Sequence, residues 1–387
     1  MPKEYAVGFD DGNFGAKLGL YDGDNARFKT MPSISAEGDS NYKAMKNALS
    51  GENETRDQGS KEAWRSLLMN RSHLDTADHV FSYNGEPEEF VGFLGWRQRR
   101  NSTTGIGNVN RYGTHRSRAL LLTLSALLID DEQYKLTVVT GLPMETYIQA
   151  GLTEKVKDGL KGLHRFVLDG RSRTADVRVS KVLPEGAGAS LALSLPAGQS
   201  CGILDIGQFT TDCYGFDGVE PIMYLCGGKQ IGIYNAYERL DVLFFRTYKR
   251  HLTPLEQIQI LQARISPERR YPELTSPAGK VSVQQLDTWA FQSLDRNAID
   301  IQDFVSSLWR DERGGKYIGA GLNRIQIIGG GTHYHSERMR SFLEIEGTER
   351  RVFASEDPEF DNVRGYGWFA QQLMNRRPAT QKNESVA

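Results

Sequence analysis

Two carboxylates and a lysine lie around a glycine turn close to the start of the chain. An apolar strand leads into Asp10 and Asp11, Gly12 and Gly15 form the turn, and Lys17 lies on a second strand that leaves in the opposite direction. Glycines permit positive φ and close backbone approach, so the N–H groups of such a turn can converge on phosphate oxygens. A carboxylate at the end of a strand can hold hydrated Mg²⁺. The same residues are also compatible with an ordinary hairpin turn.

A second stretch, residues 201–212, has the same design. An apolar strand ends in Asp205, a turn containing Gly207 follows, and Thr210 and Thr211 begin a second strand with β-branched residues. Two such hairpins predict a duplicated fold. Each half would carry one phosphate-binding loop, and a nucleotide would be held between the halves.

A third element fits the same prediction. Residues 325–328 form an apolar strand, the three glycines Gly329, Gly330 and Gly331 follow it, and a helical pattern covers residues 336–343. Consecutive glycines have few structural reasons to occur, and they let the backbone lie flat against a nucleoside. We therefore expect this loop to flank the nucleoside.

The three motifs together resemble those of a known superfamily. Asp-Asp-Gly-Asn-x-Gly-x-Lys at residues 10–17, Asp-Ile-Gly-x-x-Thr-Thr-Asp at 205–212 and Ile-Ile-Gly-Gly-Gly-Thr at 327–332 resemble the phosphate 1, phosphate 2 and adenosine motifs of the actin, Hsp70 and sugar-kinase superfamily. Within it the chain most resembles the ParM-like (StbA-type) bacterial actins that segregate plasmids. Four shorter stretches support this, at residues 111–112, 140–143, 182–185 and 362–365, so the resemblance spans nearly the whole chain.

The resemblance implies an actin-like α/β fold. Two similar domains would each contain a mixed five-stranded sheet with flanking helices, and the nucleotide would lie in the cleft between them. We expect domain I at residues 1–184 and domain II at 185–345. Residues 346–387 would pack a helix back on domain I and end in a disordered polar tail.

The resemblance also implies a set of site residues. Asp10 and Asp205 would hold Mg²⁺ through water, and Lys17 would neutralise phosphate charge. The residues expected to cradle the phosphates are Asp11, Gly12, Asn13, Phe14, Gly15, Gly207, Gln208, Phe209 and Thr210, and those expected to flank the adenosine are Gly329, Gly330, Gly331 and Thr332. Gln208 and Phe209 replace the smaller residues often found in the second loop. Gly227 and Gly228 could approach the nucleotide, and Asn235 and Glu238 could reach the ribose.

Glu185 is the candidate catalytic residue, together with Asp10 and Asp205. It precedes a segment of small residues, 187–195, that is predicted to be a helix permitting close helix approach, as at a hinge crossing between two halves of the protein. One interpretation is a carboxylate that is favourable at a helix N-terminus. The resemblance implies another, in which Glu185 orients the water that attacks the γ-phosphate.

Composition limits the partners and the cellular compartment that we expect for the protein. A net charge of −2 and a pI near 6.4 argue against broad nucleic-acid binding by this chain. Its three cysteines, Cys201, Cys213 and Cys226, lack metal-ligand spacing and suit a reducing cytoplasm. Buried thiols are the favoured interpretation, although Cys201 and Cys213 flank one hairpin and could face each other. The sequence shows no signal peptide and no apolar run that would span a membrane.

The function implied by the resemblance is a cytomotive filament for plasmid or DNA segregation. ATP-bound subunits would polymerise head to tail, hydrolysis would destabilise the filament, and a small DNA-binding adaptor on a centromere would be the partner. Two alternatives stay open: a small-molecule kinase and an Hsp70-like monomeric ATPase switch of the same superfamily. The choice between ATP and GTP also stays open.

Overall fold

The computed structural model describes residues 2–38, 73–98, 103–104, 111–193, 199–218, 220–266, 268–276, 279–310, 318–319, 321–344 and 351–376. Two compact units divide these residues. The first contains the described residues up to 193 and from 360 to 376, and the second contains those from 199 to 359. The first unit thus continues past residue 184, and the C-terminal end of the chain completes it.

The elements of the first unit come from both ends of the chain. Its strands are β1 (Lys3–Asp11), β2 (Gly15–Asp22), β3 (Asn25–Pro32), β4 (Ile34–Glu37), β5 (Asp78–Tyr83), β6 (Glu89–Gly92), β7 (Thr103–Thr104), β8 (Gln133–Leu142), β9 (Gly162–Leu168) and β10 (Arg171–Pro184). Its helices are α1 (Phe93–Gln98), α2 (His115–Leu128), α3 (Met144–Tyr147), α4 (Leu152–Leu160), α5 (Ala187–Ala192) and α10 (Asp361–Asn375).

The second unit lies between α5 and α10 in the sequence. Its strands are β11 (Ser200–Ile206), β12 (Thr211–Asp217), β13 (Glu220–Pro221), β14 (Gly227–Lys229), β15 (Thr275–Ser276), β16 (Gly279–Lys280), β17 (Arg324–Ile328) and β18 (Arg351–Ala354). Its helices are α6 (Tyr234–Tyr248), α7 (Pro254–Ile265), α8 (Val283–Trp309) and α9 (Thr332–Leu343).

The two main sheets share one strand order. In the first, β3, β2 and β1 are antiparallel, and β1, β8 and β10 are parallel. In the second, β13, β12 and β11 are antiparallel, and β11, β17 and β18 are parallel. The predicted mixed path of five strands is therefore present twice. In the first unit the sheet continues beyond β10 through β9, β5, β6, β4 and β7, and in the second β14 adds to β12.

The central strand β1 is buried on both faces, which explains its continuous apolar run. Side chains alternate between the faces of a strand. Tyr5, Val7 and Phe9 accordingly belong to the core that contains α2, whereas Ala6 packs with Tyr366 of α10. The start of α2 is fixed by Thr114, whose hydroxyl accepts a hydrogen bond from the N–H of Ser117.

Glycines let α10 approach the first sheet and α5 closely. A Cβ on Gly8 would lie 2.2 Å from the carbonyl oxygen of Val363, and a Cβ on Gly188 would lie 2.3 Å from that of Asn362. A Cβ on Gly365 would lie 1.6 Å from the carbonyl oxygen of Gly188. The small residues after Glu185 therefore allow a close helix approach, but the helix that they contact is α10 of the same unit. The predicted hinge crossing between two halves stays a prediction.

Several local predictions differ from the structure. The helix predicted over residues 187–195 ends at Ala192, and the one predicted to begin at residue 336 begins at Thr332, because the glycine loop leads directly into it. Cys201 and Cys213 do not face each other: their cross-strand partners are Phe216 and Leu204. The predicted disordered tail after residue 376 lies outside the described residues. Among the described helices, none is both long and apolar enough to cross a membrane.

The crossing of α5 and α10 gives a stability prediction. Gly365→Ala would gain up to about 1 kcal/mol in helix propensity, but its Cβ would collide with backbone that cannot move aside. We expect a net loss of about 2 kcal/mol or more in the free energy of unfolding, measured by urea denaturation. Asn375→Ala, at the exposed end of the same helix, should change it by less than about 0.5 kcal/mol. Equal stability of Gly365→Ala and wild type would rule out this close crossing.

Candidate functional site

Asp10 and Lys17 face each other on the two strands of the first hairpin, close to its turn. They are cross-strand partners of β1 and β2, and Lys17 Nζ lies 2.9 Å from Asp10 Oδ2. Their side chains are 12% and 19% exposed, so both can meet a ligand without leaving the sheet. A carboxylate and an ammonium at this position suit a hydrated cation and an anionic oxygen respectively.

Asp11 has a different role from its neighbour. Its side chain is buried, and both carboxylate oxygens lie 2.7 Å from Nη2 of Arg116 on α2. The hydroxyls of Ser33 and Ser117 also donate to it. The Asp11 carboxylate therefore ties the loop to α2, and any contribution of Asp11 to phosphate binding would come from its backbone.

The first turn is tight because glycine occupies position 12. A Cβ there would lie 2.6 Å from the carbonyl oxygen of Gly15 and 3.6 Å from Lys17 Nζ. The Phe14 carbonyl accepts a hydrogen bond from the N–H of Ser33, and the Asn13 side chain accepts one from Arg111. The carbonyl of Phe14 and the side chain of Asn13 are thus directed into the protein, and the turn is held from both sides.

In the second hairpin, Asp205 takes the position that Asp10 has in the first, but the residue paired with it is not a lysine. Asp205 is paired in register with Asp212, at the same separation as Asp10 and Lys17. Like charges opposite each other destabilise a sheet, so a cation bound nearby would be favourable here. The Gly207 N–H donates to the Thr210 carbonyl at 2.8 Å and closes the turn.

The carbonyls of the second turn are held by the segment 232–234, which leads into α6. Tyr234 N–H donates to the Gln208 carbonyl at 2.8 Å, and Gly232 N–H donates to the Phe209 carbonyl at 3.1 Å. The ring of Phe209 packs on that of Tyr234, with centroids 5.1 Å apart. The unusual side chain at position 209 is therefore accommodated by this segment. The N–H groups of residues 208–210 are our candidates for phosphate binding.

The third glycine loop is brought beside the second hairpin by the pairing of β17 with β11. Asp205 is paired with Ile328, and the Gly331 N–H donates to the Ile206 carbonyl at 2.8 Å. Gly329 has φ +84°, and a Cβ on it would lie 2.3 Å from Asp205 Oδ1. At Gly330, in contrast, no atom of the described residues lies within 4 Å of the position that a Cβ would take. The surface above Gly330 can therefore take a flat ligand group.

The remaining predicted contacts lie in the same unit. Gly227 and Gly228 form β14, which pairs with β12, and a Cβ on Gly228 would lie 2.2 Å from Asp212 Oδ1. Asn235 and Glu238 lie on the first turns of α6, half-buried and exposed respectively. The contact of these four residues with a nucleotide stays a prediction.

Two histidines after the glycine loop have protein partners rather than a shared metal geometry. His333 Nε2 lies 3.0 Å from Glu359 Oε2, and His335 Nε2 lies 2.8 Å from Asn297 Oδ1. Asn297 in turn donates from Nδ2 to the Gly232 carbonyl at 3.2 Å. The chain from His335 through Asn297 therefore supports the segment that holds the second turn.

Glu185 lies between the end of β10 and the start of α5, in the first unit. Its N–H donates to the Leu142 carbonyl at 2.7 Å, and Gly186, with φ +83°, donates to the Asn362 side chain at 3.1 Å. The half-buried Glu185 is thus placed by backbone contacts with β8 and α10. Its role at the γ-phosphate stays a prediction.

Sequence reasoning missed the residues that support the loops. Arg116 and Asn297 carry no local motif, since each meets its partner only through the fold. Asp212 could have been found, because its spacing from Asp205 equals that of Lys17 from Asp10. The chemistry of the sets fits a nucleotide with Mg²⁺: carboxylates for a hydrated cation, glycine turns for phosphates, and an open glycine surface for a nucleoside.

Comparison with known proteins supports the fold described above. Residues 8–188 match the family model of the N-terminal domain of actin-like proteins. No curated protein matches the sequence.

Solved structures share the fold across the whole chain. ParM of Bacillus thuringiensis with ATP has a TM-score of 0.65 at 15% identity, covering 97% of this chain and 100% of that one. An archaeal actin homologue in complex with ADP has a TM-score of 0.66 at 17% identity, covering 95% and 99%. A 15-stranded ParM filament from Clostridium botulinum gives 0.65 at 21%, covering 96% and 100%. The actin-like fold class predicted from the motifs is confirmed.

The buried histidine of the second unit gives a prediction of pH dependence. Burial lowers the pKa of His335 to about 3, so the folded protein keeps it neutral. Below pH 6.5 the unfolded chain takes up a proton that the folded chain does not, and stability falls as the pH decreases towards 3. Between pH 6.5 and 5, wild type should lose up to about 1.4 kcal/mol per pH unit more than His335→Gln, whose amide can still donate to Asn297.

Urea denaturation across this pH range measures the difference. His251→Gln, at an exposed histidine of the same unit, tests whether the change is specific to the buried site. Parallel stability curves for wild type and His335→Gln would contradict the prediction.

Proposed function

We propose that this chain, which has an actin-like fold and matches the model of the N-terminal domain of actin-like proteins over residues 8–188, binds and hydrolyses ATP with Mg²⁺ and polymerises head to tail into filaments. The observation that carries the proposal is the repeated sheet. Each unit places an aspartate at the last but one position of its central strand, Asp10 in one and Asp205 in the other, two residues before a glycine of the turn that follows. Two equivalent turns suit the triphosphate of one nucleotide.

The chemistry of each residue indicates its role in the proposed nucleotide site. Asp10 and Asp205 would hold the hydrated metal, which supplies charge neutralisation for the phosphates. Lys17 would add a positive charge at the first turn, and the N–H groups of the two turns would donate to phosphate oxygens. Gly330 would lie against the nucleoside, and its loop would set the position of the sugar and base.

Glu185 is the residue that we assign to hydrolysis. A carboxylate within hydrogen-bond reach of a water can orient it for in-line attack, and phosphoryl transfer depends mostly on such positioning and on charge stabilisation. The backbone of Glu185 is fixed by Leu142, and that of Gly186 by Asn362. A residue that must orient water benefits from a fixed backbone.

Filament formation is the second part of the proposal. Its support is the likeness to ParM proteins, one of which has been solved as a filament. A head-to-tail contact uses two different surfaces and propagates without closing, as an open helical polymer requires. The near-neutral net charge suits a filament that engages plasmid DNA through a small DNA-binding adaptor.

Pelleting and light scattering with Mg-ATP, Mg-GTP, Mg-ADP or no nucleotide test both parts. We expect polymer with Mg-ATP and little with Mg-ADP, and phosphate release that follows assembly. Glu185→Ala should bind ATP as wild type does, lower phosphate release by roughly 100-fold or more, and form polymer that persists longer. GTP in place of ATP measures the base preference.

Each negative result of these experiments would contradict a different part of the proposal. Nucleotide binding and turnover without polymer at any protein concentration would contradict the filament and favour the kinase or switch alternatives. Phosphotransfer to sugars would identify the kinase. Absence of any nucleotide binding would overturn the assignment of the two turns.

A further inference from the structure

A histidine and two glutamates of the first unit meet outside the proposed nucleotide site. Glu86, Glu89 and His115 each offer one ligand atom, and these three atoms all lie within 4.8 Å of one another. His115 Nε2 is hydrogen-bonded to Glu89 Oε1. The side chains of His115 and Glu89 are 39% and 21% exposed, and Glu86 is exposed, so an ion can reach all three from solvent. In the part of the chain that the structure describes, no other group of three or more histidine, cysteine or acidic side chains meets in this way.

The backbone fixes the position of Glu86. This residue follows the turn between β5 and β6, in which Asn84 and Gly85 have φ of 49° and 79°. Its N–H donates to the Tyr83 carbonyl at 2.8 Å, and its carbonyl accepts from the Ser82 hydroxyl at 2.7 Å. The backbone of Glu86 is therefore held on both sides, while its exposed side chain keeps the freedom to turn towards a ligand.

Glu89 lies on β6, which is flanked by β5 and β4. Its partner in register on β4 is Glu37. Residues that are directly opposite on antiparallel strands project to the same face, and like charges there destabilise the pair. A cation bound by Glu89 would offset part of this repulsion.

His115 is the first residue of α2, and its ring packs against a fixed tyrosine. The rings of His115 and Tyr83 meet edge to face, with centroids 5.9 Å apart. The Tyr83 hydroxyl lies 2.9 Å from His164 Nδ1, and His164 Nε2 lies 2.9 Å from the Leu160 carbonyl oxygen. Since a carbonyl only accepts, Nε2 of His164 donates and its Nδ1 accepts from the tyrosine. Tyr83 is thereby fixed, and it limits the orientation of the imidazole, as the outer partners of metal-binding histidines do.

The charges around the cluster suit a divalent ion. Arg118 lies one turn after His115, but its Nε donates to the Gly159 carbonyl at 3.0 Å and its Cζ lies 5.0 Å from the centroid of the Tyr83 ring. This guanidinium is therefore held by groups outside the cluster. Positive charge is unfavourable at a helix N-terminus. The two carboxylates balance the charge of a divalent ion, so the complete set would add no net charge at the start of α2.

We propose that Glu86, Glu89 and His115 form a binding site for a divalent transition-metal ion, for which Zn²⁺ is the best fit. One imidazole nitrogen and two carboxylate oxygens are ligands that zinc takes. The ligand atoms of a tetrahedral ion with bonds of about 2.0–2.2 Å lie about 3.4 Å apart, so a small rotation of the glutamate side chains completes the site. A water molecule would take the fourth position. Mg²⁺ prefers six oxygen ligands, and the imidazole therefore selects against it.

The bound ion would cross-link the β5–β6 hairpin to the start of α2. The residues that follow His115, Arg116 and Ser117, donate to the Asp11 carboxylate. An ion that binds the folded arrangement and not the unfolded one stabilises the fold. Zinc would thus stabilise the helix start that anchors the first loop, whether or not the protein hydrolyses a nucleotide.

Zinc titration of the full chain without nucleotide tests the site. Calorimetry with ZnCl₂ should show one tight equivalent for wild type, and the same addition should raise Tm. His115→Gln and Glu89→Gln each remove a ligand and should lower the affinity for Zn²⁺ roughly 100-fold or more, because losing an outer partner of a ligand already costs about 10–100-fold. Glu86→Gln, at an exposed position, should also lose affinity and serves as a third variant if either of the others does not fold.

His251→Gln is the matched control. His251 is 70% exposed, and its Nδ1 lies 2.7 Å from Oδ2 of one carboxylate, that of Asp241. This variant removes a surface histidine with an acidic neighbour and should keep both the zinc affinity and the rise in Tm. Co²⁺ gives an independent readout: wild type and the control should show the intense visible absorption of a four-coordinate ion, and the ligand variants should lose it.

Three results would overturn the proposal. One is wild-type zinc affinity in folded His115→Gln and Glu89→Gln, and another is an equal loss of affinity in His251→Gln. The third is weak binding of several equivalents that Mg²⁺ at equal concentration displaces, which would identify an ordinary acidic surface. Thermal melts without metal show whether each variant is folded.

Discussion

The buried ion pair between Asp11 and Arg116 is the interaction on which the first loop depends. The two residues are 3% and 2% exposed, so removing either one leaves a charge in a dry environment, at a cost of about 3–5 kcal/mol. Asp11 separates Asp10 from Gly12 in the sequence. An anchor at Asp11 therefore fixes the carboxylate on one side and the turn on the other, both relative to α2. The strand could not present Asp10 reproducibly if its neighbour were free.

The two units share a strand order but support their turns by different means. The first turn is held by charged groups, Arg116 and Arg111, which act on Asp11 and Asn13. The second is held by neutral hydrogen bonds from the segment 232–234, and Asn297 donates to the Gly232 carbonyl of this segment. The shared strand order places both turns at the same point of a sheet. The groups that support the two turns differ, and each set satisfies the hydrogen-bonding groups of its own turn.

Much of the fold could be predicted from the sequence, because its signals are local. An apolar run ending in Asp and Gly marks each central hairpin, and β1 and β11 lie where such runs predict strands. The loops proposed to bind the nucleotide could also be predicted, since glycine has a conformational reason to be there. The residues that support these loops could not be predicted from the sequence. Arg116 and Asn297 meet Asp11 and Gly232 through pairings distant in sequence, and no periodicity indicates such a partner.

The position of Glu185 illustrates how distant parts of the chain complete a local feature. Its turn is closed by Asn362, which accepts from Gly186, and the Tyr366 hydroxyl donates to the Pro184 carbonyl at 3.4 Å. Both partners lie on α10, which follows the entire second unit in the sequence. The Glu185 turn of the first unit therefore depends on contacts with α10 as well as with β8. The geometry proposed for hydrolysis is set by residues that are far apart in the sequence but belong to one unit.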